Sequence, residues 1–165
     1  MAIVATDLKF YLSGGSANSN PLLALGGAIS SVQASSNLFD DISTAESAAG
    51  DTEYRAYFVK NTNSTDTAYS VKVWIQSNTP STATEVRIGL AGEGVANTIE
   101  TIGNEGTAPS GASFSTADGE ANALTIGNLT AGQAHGVWIR RVVSTTSTPF
   151  SNDGATIRVR ANTAA

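Results

Sequence analysis

The chain has one histidine, His135, and no cysteine, so few reactions are open to it. Ser-His-Asp hydrolysis would have to run through His135, with Asp118 or Asp153 orienting the imidazole and one of many serines as nucleophile. No G-x-S-x-G elbow is present to hold such a serine, and a lone histidine beside Gly136 at the start of a strand-like run is more often a structural residue. Zinc would need several carboxylates to complete its shell. Oxygen-only calcium coordination is the better-matched metal chemistry, with Asp118-Gly119-Glu120 and Asp40-Asp41 as the acidic pairs. Neither has the EF-hand spacing, and acidic turn residues are the commoner explanation. Fourteen acidic residues make accidental carboxylate pairs unavoidable, so they carry no glycosidase signal. Trp74 and Trp138 would stack on sugars if exposed, but each lies inside a strand-like run and suits a core or an interface equally well. Gly14-Gly15 and Gly26-Gly27 lack the spacing and following helix of a phosphate cradle and read as turns or bends. The expectation is a protein with no catalytic residues, no cofactor and no metal requirement.

The elements that would position these residues are strands. EYRAYFVKN and TAYSVKVWIQS are rich in aromatic and β-branched residues and are separated by the polar TNSTD, which reads as a β-hairpin. Val71, Val73 and Ile75 share one aliphatic face. Further candidates are TEVRIGLA, NALTIGNL, HGVWIRRVV and ATIRVRAN, preceded by DLKFYLSGG, where Leu8, Phe10 and Leu12 alternate with Lys9, Tyr11 and Ser13. Pro21, Pro80, Pro109 and Pro149 all fall between these runs, where a missing N–H harms no ladder. The pattern predicts an all-β fold, an antiparallel β-sandwich of the immunoglobulin-like type, with a jelly roll as the alternative architecture. Asn37 or Asp40 is placed to cap a short helical turn before the first long strand.

Composition bounds the rest. A length of 165 residues fits a single domain spanning 1–165, with an N-terminal strand or arm at 1–15 and a long inserted loop at 91–123. The net charge of -5 argues against a nucleic-acid partner, and no apolar run approaches the roughly 18 residues of a membrane span. The start lacks the positive n-region of a secretory signal. Between Ile88 and Ile139 there is no Lys or Arg, whereas Arg140, Arg141, Arg158 and Arg160 would form a basic stripe if their two strands were neighbours.

DLKFYLSGG, NPLLALGGAISS, and NLFDDISTAESAAGDTEYRAYFVKNTN leading into TAYSVKVWIQS together resemble small virion structural proteins of tailed bacteriophages, of the capsid decoration or cement kind. The resemblance covers roughly the first half of the chain. It implies a non-enzymatic protein on the capsid exterior, assembled in the host cytoplasm, with the major capsid protein as partner and a homotrimer near local three-fold axes. A tail or fibre module holding a host-surface glycan through the 91–123 loop is the alternative. For a decoration protein, the candidate assembly interface is Ala2, Ile3, Val4, Lys9 and Tyr11. The opening strand either pairs with a neighbouring chain or lies as an edge strand in its own sheet.

Overall fold

Alternation in the sequence becomes nine strands among the described residues of the computed structural model, which are 2–35, 37–145 and 152–163. In chain order these are β1 (Leu8–Leu12), β2 (Gly26–Gly27), β3 (Asp51–Asn61), β4 (Ala68–Ser77), β5 (Thr84–Val95), β6 (Ile99–Thr101), β7 (Leu124–Leu129), β8 (Ala134–Val143) and β9 (Thr156–Asn162). One short helix, α1 (Thr44–Ala49), precedes β3. A four-stranded sheet in the order β1-β3-β8-β5 faces a three-stranded sheet in the order β7-β4-β9, and β2 pairs with β6 apart from both. All of these strand pairs are antiparallel. The protein is an antiparallel β-sandwich. Four strands against three is the immunoglobulin-like division, but the strand order differs from the constant-domain one: β8 sits beside β3 in the four-stranded sheet, and β4 is the central strand of the other, between β7 and β9.

The main core lies between the two sheets. Tyr57, Val59, Ile88, Val137 and Ile139 from one sheet pack with Val71, Val73, Ile75, Ile126 and Leu129 from the other. A second cluster fills the opposite face of the four-stranded sheet, where Tyr54, Ala56, Phe58 and Trp138 meet Ala91, Ile99 and Ile102. That sheet is therefore the middle layer of three, and β3 is buried almost continuously from Glu53 to Val59. Each large side chain so buried contributes roughly 1.5–3 kcal/mol.

The second cluster explains the long insertion. β5 runs on to Val95, β6 then pairs with Gly26 and Gly27, and Ser115 bridges back to Ile88. Residues 91–115 thus cover the sheet, and Ala117 to Gly119 then cross to β4, where the Ile75 N–H donates to the Ala117 carbonyl and the Gly119 N–H to the Ile75 carbonyl. The approach is close: a Cβ on Gly26, where φ is +91°, would sit 1.8 Å from the Glu100 carbonyl oxygen.

Two expectations need correction. β3 and β4 do not form a hairpin, because β3 pairs with β1 and β8 whereas β4 pairs with β7 and β9. Residues 62–67 carry the chain from one sheet to the other. Buried Asn61 stabilises this arch, its Nδ2 donating to the Asp66 and Leu129 carbonyls at 2.9 Å each. The helix is capped by neither Asn37 nor Asp40. Ser43 caps it, accepting the Glu46 N–H while Glu46 accepts the Ser43 N–H in return. Pro21 opens a 3-10 turn, Pro80 and Pro109 lie in connections, and Pro149 lies outside the described residues. Among the described residues no helix is long and apolar enough to cross a membrane.

Candidate functional site

The most unusual chemistry is at one end of the sandwich. Alternation puts Asp51, Glu53, Arg55 and Tyr57 of β3 on one face, and the antiparallel register sets Arg141 of β8 opposite Glu53. Arg141 Nε donates to Glu53 Oε2 at 2.5 Å, and its Nη1 donates to the Asp40 carbonyl at 2.6 Å. Arg55, fully buried, pairs with Glu105. The Phe39 ring lies between the two cations, its centroid 4.8 Å from the Arg141 guanidinium carbon and 5.7 Å from that of Arg55. Burial pushes the Glu53 carboxyl above its ordinary value, and the Arg141 cation only partly offsets this.

This cluster borders a cavity of about 1100 Å³ between the sheets, with Phe10, Leu38, Tyr57, Val86, Ile139 and Ile157 in its apolar lining and Arg141 and Asp153 among its polar residues. The Tyr57 hydroxyl, Glu53 Oε1 and Arg55 Nε are all sealed from solvent without a hydrogen-bond partner. Burial also raises the Tyr57 phenol, which stays protonated.

The residues that sequence reading offered for catalysis or sugar binding are otherwise engaged. His135 is buried, its Nδ1 2.8 Å from the Gly136 carbonyl oxygen, while Asp153 accepts from Ser81 N and from the Thr84 hydroxyl. Glu120 pairs with Arg160, and Asp40 with Arg141. Trp74 and Trp138 are both buried, so neither ring presents a face to a sugar. The basic stripe does not form, because Arg140 and Arg141 lie on the four-stranded sheet and Arg158 and Arg160 on the three-stranded one.

The opening segment closes its own sheet. Leu8 to Leu12 run in register against Asn61 to Tyr57, and the outer edge of β1 is taken by residues 30–34, including Leu12 N–H to the Val32 carbonyl at 3.0 Å. Of the candidate interface residues, Ala2 and Val4 are exposed and Lys9 and Tyr11 half-buried. Ile3 is buried and belongs to the main core of the chain.

Two features escaped the sequence reading. Glu46, Asp51 and Glu53 converge, each bringing a carboxylate oxygen within 4.8 Å of the others. Leu22 and Leu23 are held outward, 39% and 59% exposed, on a 3-10 turn opened by Pro21 and capped by Asn20, whose Oδ1 accepts the Leu22 N–H at 3.0 Å. Asn18 buttresses the turn, accepting from Asn20 N at 2.9 Å and donating to the Ser13 carbonyl at 2.6 Å.

Comparison with known proteins returns no family model, no curated protein and no solved structure that matches the chain. Function is therefore read from the geometry above.

Proposed function

We propose that the chain is a structural assembly protein, specifically a capsid decoration protein that binds the exterior of a phage head through the major capsid protein. The observation carrying this reading is the rigid outward presentation of Leu22 and Leu23. Two exposed leucines on a turn fixed by a proline and two asparagines lose little further entropy on docking, as a contact repeated across a lattice requires. The resemblance of the flanking NPLLALGGAISS segment to tailed-phage virion proteins supports the same reading, as does the engagement of His135, Asp153 and both tryptophans inside the fold. A homotrimer on the capsid exterior, stabilising the lattice by mass action, is the matching assembly.

The test is occupancy on undecorated heads. The Leu22→Ser/Leu23→Ser double variant should melt as the wild type does and bind heads at least tenfold more weakly. Wild-type occupancy by the variant removes the leucine pair from the interface. Absence of head binding by the unaltered chain removes the decoration reading, and binding to host-surface glycan instead would favour the tail module.

A further inference from the structure

The acidic convergence before and within β3 has more negative charge than its neighbours neutralise. Asp40, Glu46, Asp51, Glu53 and Glu105 form one electrostatic neighbourhood with Arg55 and Arg141, so five carboxylates face two guanidiniums. Asp40 and Glu53 share Arg141, and Glu105 takes Arg55. Among the described residues Glu46 and Asp51 make no ion pair, and the carboxylates outnumber the guanidiniums by three.

The three converging carboxylates are each held by the fold through one oxygen. Glu46 Oε2 accepts the Ser43 N–H at 2.6 Å, Asp51 Oδ1 accepts the Thr52 N–H at 2.8 Å, and Glu53 Oε2 accepts from Arg141. Each has a second oxygen left over. Glu46 and Asp51 are half-buried, and neither has an oxygen sealed from solvent without a partner. Glu53 differs: its side chain is 1% exposed, and Oε1 is sealed from solvent with no donor. A buried carboxylate oxygen left unpaired is costly, and a cation at the mouth of the cluster would satisfy it.

We propose that Glu46, Asp51 and Glu53 bind a calcium ion at the junction of α1 and β3. The chemistry is all oxygen, which selects a hard cation over zinc or copper. Calcium takes six to eight oxygens at about 2.3–2.6 Å, so opposite ligands sit about 5 Å apart, and oxygens within 4.8 Å of one another are close enough to share such a sphere. Water reaching the half-buried Glu46 and Asp51 completes the shell. The ion would tie the Ser43-capped helix to the charged end of β3, an order the fold otherwise leaves to the short Gly50 connection. This site is neither of the acidic pairs that stood out in the sequence, and it does not depend on the assembly reading.

The test uses chelator-stripped full-length protein and CaCl₂ at about 10 mM, above the roughly 10⁻⁴–10⁻³ M range of weak extracellular sites. Calcium should raise the melting temperature by several degrees, and titration calorimetry should give one site per chain. Glu46→Gln/Asp51→Asn keeps both fold-committed acceptor oxygens, so it should melt like the stripped wild type and bind calcium at least tenfold more weakly. If the double variant fails to fold, Asp51→Asn alone carries the same expectation. No shift in the wild type overturns the proposal, as does an undiminished shift in the variants or an equal shift with MgCl₂ at the same concentration.

Discussion

The two halves of β3 are both largely buried and chemically opposite. From Tyr57 to Asn61 the strand sits between β1 and β8, with Val59 in the dry core and the Asn61 amide hydrogen-bonded to two carbonyls. From Asp51 to Arg55 β1 is no longer alongside; two loop carbonyls, Glu105 O and Ala24 O, take the Tyr54 and Ala56 N–H groups, and charged side chains occupy positions where a core would place aliphatics. The first half holds the sandwich together. The second carries unpartnered Glu53 Oε1 and Arg55 Nε, polar capacity that folding leaves unused. Burial alone therefore does not separate structural from chemically available residues; the balance of partners does.

The sharpest way to break this comparison is to leave an unpaired carboxylate in each half. Val59→Asp should remove roughly 4–5 kcal/mol or more, because a carboxylate at a fully buried position has no partner, and the chain should lose cooperative unfolding. Arg141→Ala creates the same defect at the other end by stranding Glu53, at a cost of about 3–5 kcal/mol by denaturant melts. If Arg141→Ala costs under about 1 kcal/mol, Glu53 is protonated and the cluster is not ionic.

Asn61→Ala comes next. It leaves the Asp66 and Leu129 carbonyls without that donor at the arch, and should cost about 1–3 kcal/mol. A loss no larger than that of an exposed substitution would mean the arch is held by β1 and β8 pairing alone.

This arch also marks the limit of what could be read from the chain. Strands were legible because Val71, Val73 and Ile75, or Leu8, Phe10 and Leu12, alternate at the period of a pleated sheet. Pairing was not, because TNSTD carries no Asn-Gly or Asp-Gly signal and the crossing is set by Asn61, whose partners at Asp66 and Leu129 are only brought together by the fold. The acidic site was legible in pieces. Ser43-x-x-Glu46 is a capping-box spacing and Asp51-x-Glu53 a same-face pair, but their convergence depends on Gly50 turning the chain between them. Leu22 and Leu23 look like core residues in sequence and are exposed because the Asn20-Pro21 turn aims them outward.

A smaller effect separates the ionisation of the charged half from the rest of the molecule. Glu53 has a folded pKa raised above its ordinary value of 4.5, so between that value and the raised one the folded state holds more protons than the unfolded. Its contribution to stability is complete below 4.5 and is lost as pH rises through the folded value. Asp7 and Glu46, both lowered, act in the opposite sense and are common to wild type and variant. With calcium removed, the stability of the wild type minus that of Glu53→Gln should therefore fall as pH rises from about 4 to 7. A flat or rising difference would show that Arg141 outweighs burial at this carboxylate.

The smallest expected change lies where the two halves meet. Tyr57 is in the main core and its ring packs edge-on against Phe10 at 4.8 Å, but its hydroxyl is sealed from solvent with no partner beside the intersheet cavity. Tyr57→Phe keeps the ring and its contact while removing the unpaired polar group. Most tyrosine hydroxyl deletions cost stability because a hydrogen bond is lost; here none is present to lose, so the variant should be as stable as the wild type or up to about 1 kcal/mol more stable. A denaturant midpoint lowered by more than the error, with unchanged slope, would show that the hydroxyl is satisfied in solution and that the polar deficit of this strand ends at Arg55.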